Sequence, residues 1–100
     1  MAVTSKALAR TAAATTSTTL YTVPSSTTAI VTNIAVANGA ASAATFTILL
    51  DDIELQKDTA IAANSTIYID LKQVLATTKT IKGLASATTI DFHISGVEIA

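Results

Sequence analysis

An antiparallel all-β sandwich, of jelly-roll or immunoglobulin-like type, is the fold class the sequence predicts, and three observations predict it. Ile, Val and Thr dominate the segments that carry pattern, and these side chains suit a pleated, half-buried surface. Within those segments apolar residues recur at every second position, the period of a strand with one face on a core. Pro24 and Asn38-Gly39 fall between segments, where turn residues belong. Seven or eight short strands result, with helix limited to one short turn near residues 71–75.

In chain order, residues 1–17 form an Ala/Thr-rich arm of low complexity, predicted to be extended and partner-bound, and residues 18–100 form the sandwich domain. Leu20 to Val23 reads as a first strand, stopped by Pro24, which cannot donate to a ladder. Thr28 to Asn38 reads as a central strand, with Ile30, Ile34 and Val36 on one face and Val31, Asn33 and Ala35 on the other. Asn38-Gly39, tolerant of positive φ, opens the next loop. Thr45 to Leu50 alternates with Phe46, Ile48 and Leu50 inward, and Asp51-Asp52 turns it into a hairpin with Ile53 to Gln56. Thr66 to Leu71 follows, with Ile67, Ile69 and Leu71 inward and Tyr68 and Asp70 outward. The helical spacing of Leu71, Val74 and Leu75, with Gln73 three residues after Asp70 as in a capping box, predicts the single helical turn. Thr80 to Ser86 and Ile90 to Ile99 complete the set. In the last, Ile90, Phe92 and Ile94 share one parity and Val97 and Ile99 the other, so a bulge at Ser95-Gly96 is predicted to keep both groups inward.

One hundred residues close one core. Half of them are apolar, but many of those are alanines, so the core must come from Ile, Leu and Val. Each large aliphatic side chain contributes about 1.5–3 kcal/mol on burial, against about 1.5 kcal/mol of entropy for each residue ordered. That margin is narrow, and with no cysteine to staple the fold, association with other subunits is the predicted source of further stability.

The net charge of −1 and six scattered basic residues offer no phosphate-tracking stripe, so no nucleic-acid partner is predicted. The absence of cysteine fits assembly in a reducing cytoplasm. Lys6 and Arg10 before an Ala-rich run resemble a signal peptide, but threonines interrupt the alanines and leave no continuous apolar segment. The same polar interruptions, with Pro24, argue against a membrane span in residues 11–50.

No catalytic, metal or cofactor site is predicted, and no small-molecule substrate. Asp91, His93 and Ser95 alternate along one strand and share its outer face, but side chains at i and i+2 stand about 6–7 Å apart, too far for proton relay. Asp91 and His93 are too few for a metal, and the chain has a single histidine. Asp51, Asp52, Glu54 and Asp58 lack the spacing and central glycine of a calcium loop and read as a charged hairpin tip.

The most informative feature is an absence. The forty residues from Thr11 to Leu50 contain strands and not one charged side chain, whereas soluble β proteins guard their edges with Lys, Glu or Pro. A covering partner removes that liability, and Val3, Leu8, Leu20 and Tyr21 are the predicted interface residues.

Leu20-Tyr21-Thr22-Val23-Pro24, the strand Thr28-Ala29-Ile30-Val31-Thr32-Asn33-Ile34, the Ile61-Ala62-Ala63-Asn64-Ser65-Thr66 segment and the closing Gly96-Val97-Glu98-Ile99 together resemble small virion proteins of tailed bacteriophages. The resemblance implies a non-enzymatic β-sandwich present in many copies on a virion assembled in the host cytoplasm. It implies a capsid decoration or cement subunit that associates with itself, a trimer being favoured, and with the major capsid protein. The alternative is an adhesive module at a tail, neck or fibre tip that binds a host surface glycan or protein.

Overall fold

The computed structural model describes residues 2–100; Met1, the first residue of the predicted arm, lies outside them. Eight strands follow one another: β1 (Val3–Ala12), β2 (Thr18–Thr22), β3 (Thr28–Asn38), β4 (Ala44–Leu50), β5 (Ile53–Ile61), β6 (Ser65–Leu75), β7 (Thr80–Ala85) and β8 (Ile90–Ile99). They form two four-stranded antiparallel sheets, ordered β1-β8-β3-β6 and β2-β7-β4-β5. Only β4 and β5 are joined as a hairpin, and every other connection crosses from one sheet to the other. That interleaving is the double-sheet jelly roll, which decides between the two predicted topologies.

Inward-facing residues of both sheets supply the core. Ile34, Val36, Ile90, Phe92 and Ile94 from the first meet Phe46, Ile48 and Ile81 from the second, all essentially inaccessible to water. The Phe46 and Phe92 rings meet edge to face across the sandwich, with centroids 6.4 Å apart, an arrangement that suits the ring quadrupoles. Gly83 makes room for this packing. A Cβ there would stand 2.9 Å from Leu20 Cδ1 and 3.1 Å from Phe92 Cε2.

The Asp51-Asp52 turn takes positive φ at both residues, 55° and 60°, the backbone of a two-residue hairpin turn whose twist matches its strands. Gly39, by contrast, does not use positive φ, and the left-handed positions elsewhere fall to Ser26, Asp58, Asn64 and Thr78. The predicted helical turn at 71–75 is strand. Val31, Ile30 and Ala29 on β3 pair with Gln73, Val74 and Leu75, so this backbone has a ladder to join. Asp70 does not cap a helix; its carboxylate accepts a hydrogen bond from Asn33 Nδ2 on the neighbouring strand at 3.1 Å.

Strand β3 changes parity within itself. Ala29 and Val31 face the core, then Ile34, Val36 and Asn38 do, because Thr32 is an extra residue opposite the Ser95–Gly96 step of β8. Ile30 therefore faces outward and Val31 inward, so Ile30 does not share a face with Ile34 and Val36 as predicted, nor Val31 with Asn33 and Ala35. The irregularity falls at the predicted Ser95-Gly96 step, but the extra residues lie on the flanking strands, Thr32 on β3 opposite that step and Leu8 on β1 opposite the adjoining Ile94–Ser95 step. Strand β8 itself alternates without a break, so Val97 and Ile99 stay outward. Gly96 answers the crowding, since a Cβ there would clash with the Ile30 carbonyl oxygen.

Residues 3–12 of the predicted arm are extended and lie along β8 as strand β1, an edge of the first sheet.

Candidate interaction surface

Residues directly opposite in an antiparallel ladder share a face, so register converts sequence into a map of the outer surface of the first sheet. Near one end, Tyr68, Ala35, His93 and Arg10 form a row across β6, β3, β8 and β1, and Thr66, Ala37, Asp91 and Ala12 form the next. This end is polar. Near the other end, beyond the Thr32 bulge, the row is Val74, Ile30, Val97 and Ser5, followed by Thr28, Ile99 and Val3.

Five of those seven side chains are aliphatic. Val3 and Val74 are each 67% exposed, and Ile30, Val97 and Ile99 are half-buried. Ile30, Val97 and Ile99 also lie outside the cluster that packs on the core, which the half-buried Ile67, Ile69 and Leu71 do join. The outer face of the second sheet differs. Its half-buried Leu49 lies between Glu54 and Lys82, and Leu84 lies opposite Thr47.

Beneath the aliphatic rows, on the inner side, one polar contact sits beside the buried Ala29, Val31 and Leu75. Glu98 lies opposite the buried Ala29 and so faces inward, with its side chain 14% exposed. It accepts a hydrogen bond from the Tyr21 hydroxyl of the other sheet and pairs with Lys6 Nζ at 3.4 Å. Burial first, then the neighbouring carboxylate, pushes the Tyr21 hydroxyl well above its ordinary range. The hydrogen bond from Tyr21 in turn holds the Glu98 carboxyl below its ordinary range, with Lys6 adding to the effect and desolvation opposing it.

Of the four predicted interface residues, Val3 is exposed and belongs to the aliphatic rows. Leu8 and Tyr21 are buried, and Leu20 is half-buried against the core, so these three brace the fold from within. Ile30, Val74, Val97 and Ile99 were legible only as apolar positions. Their common face depends on the Thr32 bulge; the parity change at Gly96 marks its position along β8 but not the strand that carries it.

The other candidate groups remain dispersed. Asp91 and His93 are exposed and Ser95 half-buried, and no side-chain hydrogen bond joins them among the described residues. In the acidic cluster Asp51 pairs with Lys79 at 3.6 Å, Asp52 with Lys82 at 2.7 Å and Glu54 with Lys57 at 3.1 Å. Among the described residues no three His, Cys, Asp or Glu side chains are grouped to hold a metal ion. No helix of the described residues is long and apolar enough to cross a membrane. A groove of about 270 Å³ runs between the β5 and β6 edges, lined by Leu50, Ile53, Leu55, Val74 and Leu75 among others.

Neither the protein-family models nor the curated proteins contain a match to this chain. Among solved structures it is similar to a pentameric capsid protein isolated from metagenomic phage sequences, at 15% sequence identity and a TM-score of 0.40. The alignment covers 89% of this chain and 58% of that one, so the chain spans a little over half of its neighbour's length.

Proposed function

We propose that this protein is a non-enzymatic virion structural protein, a decoration or cement subunit that binds copies of itself and the major capsid protein and stabilises the shell by burying surface. The observation that carries the reading is the aliphatic outer face formed by Val3, Ile30, Val74, Val97 and Ile99. A sheet face bound for water carries polar side chains at these positions, as the other end of the same sheet does. Apolar area withdrawn from water contributes about 25 cal/mol per Å², and a shell that presents many copies of one site needs no chemistry from its clamp. The resemblance of the strand phrases to small phage virion proteins points the same way, and a trimer is the stoichiometry it favours.

Imaging of particles assembled with and without the protein tests this. The expected result is many copies on the shell with the aliphatic rows against a capsid subunit, and loss of binding in Val97→Glu with melting temperature little changed. Unchanged binding by that variant sinks the assignment of the surface, and absence from particles sinks the function.

One observation favours an adhesive module instead. Tyr68, 72% exposed, stands at the polar end beside Ala35, with His93 and Arg10 in the same row. An exposed ring with polar neighbours is a platform for a sugar. Density confined to a tail, neck or fibre tip, with glycan binding lost in Tyr68→Ala, selects this reading.

A further inference from the structure

The sandwich has four edge strands, β1 and β6 in the first sheet and β2 and β5 in the second. Each offers a row of unpaired backbone groups. They are not equally protected. β2 is five residues long, and β5 carries two register shifts against β4, which twist an edge away from partners. β1 is interrupted by the bulge at Leu8 and bears Lys6 and Arg10, one on either side of it, devices that guard an edge against pairing.

β6 is eleven residues long and has the opposite property. Its outer series Thr66, Tyr68, Asp70, Lys72, Val74 is exposed throughout, and the alternation continues past the step where Leu71 and Lys72 together face Thr32. When two such strands run antiparallel about an axis at Leu71, Asp70 of each copy meets Lys72 of the other. Tyr68 of each meets Val74 of the other, so two of the four exposed large apolar side chains cover one another. A shift of the axis by one residue sets Asp70 against itself or Lys72 against itself. Charge therefore selects one register, as cross-strand pairs do in stable sheets. Among the described residues neither Asp70 nor Lys72 has an ion-pair partner, whereas Lys6, Lys57, Lys79 and Lys82 all do.

We infer that β6 is a self-association edge, joining two copies about a two-fold axis at Leu71 into one continuous eight-stranded sheet held in register by reciprocal Asp70–Lys72 pairs. The inference rests on the self-association in the reading above but not on its stoichiometry: a two-fold edge contact closes at two copies, so a dimer replaces the trimer that the resemblance favours. The two aliphatic faces then lie on the same side of the joined sheet, available together to a shell.

Sedimentation equilibrium and native mass spectrometry of the purified chain test it in solution, without particles. The wild type is expected to be a dimer. Lys72→Asp and Asp70→Lys each place like charges opposite each other twice and are expected to raise the dimer dissociation constant about tenfold or more. An equimolar mixture of the two variants restores both opposite-charge contacts and is expected to return to a dimer of wild-type strength, which misfolding of either variant cannot produce. An oligomer of any size that ignores both reversals overturns the β6 contact and leaves self-association standing. A monomeric wild type across the accessible concentration range overturns both.

Discussion

The two halves of the first sheet present opposite exteriors over a common apolar interior. On one side of the Thr32 bulge the interior is Ile34, Val36, Phe92 and Ile94 and the exterior is Tyr68, Asp70, His93 and Arg10. On the other side the interior includes Glu98 with its Tyr21 and Lys6 partners, and the exterior is Val3, Ile30, Val74, Val97 and Ile99. Strand β8 runs straight through both halves with unbroken alternation. The inversion is thus written in the residue order of β8 and accommodated by its neighbours, which each insert one residue to follow it. The second half buries Ala29, Val31 and Leu75 on its inner side, as any sandwich does, but its apolar exterior gains nothing until something covers it.

Substitutions along β8 separate the halves. Phe92→Ala empties the space between two sheets and deletes the edge-to-face contact with Phe46, so a loss of about 3–5 kcal/mol is expected in denaturant unfolding. Val97→Ala, five residues on, is expected to cost well under 1 kcal/mol, roughly the value of a surface position. Equal losses at the two sites would mean that Val97 is core after all. At the boundary, Gly96→Ala forces a Cβ against the Ile30 carbonyl oxygen and Leu8 Cδ1, and displacing that backbone is expected to cost about 1–3 kcal/mol. Gly39→Ala is the control. Nothing lies within 4 Å of that Cβ and φ is not positive, so stability should hold to within about 0.5 kcal/mol.

Where period-two pattern and turn chemistry agree, the fold was legible. Phe46, Ile48 and Leu50 are inward as their alternation requires, and Asp51-Asp52 makes the turn that aspartate favours. The helical turn failed because a capping box and a three-and-four spacing are local signals, while the ladder offered by Ala29, Ile30 and Val31 is tertiary. The bulge was placed at the right step of β8 from the parity change at Gly96. Its assignment to that strand failed because sequence shows only that apolar residues switch faces, and the tempting assumption is that every apolar residue goes inward. The aliphatic rows follow from the contrary fact. Leu8 was singled out as an interface residue on the N-terminal arm and Tyr21 in the uncharged segment, and their apolar bodies are buried in the core.

The inverted half also has a pH signature. Glu98 has a carboxyl held below its ordinary value of 4.5, first by the Tyr21 hydroxyl and then by Lys6. A group whose folded value is depressed contributes stability that is complete above the unfolded value and lost as pH falls through the folded one. Tyr21 has the reverse sign. Its hydroxyl is raised above 10.0, so its contribution is complete below that pH and is lost as pH rises through the folded value. Melting temperature is therefore expected to fall on both sides of a neutral plateau. Tyr21→Phe removes the donor while keeping the ring, at a cost of about 1 kcal/mol at neutral pH. It should abolish the alkaline loss that belongs to Tyr21 and shrink the acid loss, because Glu98 then keeps only Lys6. Lys6→Met should shrink the acid loss less, since Lys6 is 48% exposed and the Tyr21 bond is the larger influence on the carboxyl. If the wild-type and Tyr21→Phe profiles run parallel at every pH, the two sheets are not joined by a titrating contact at this end, and the polar contact loses its role in closing the sandwich beneath the aliphatic face.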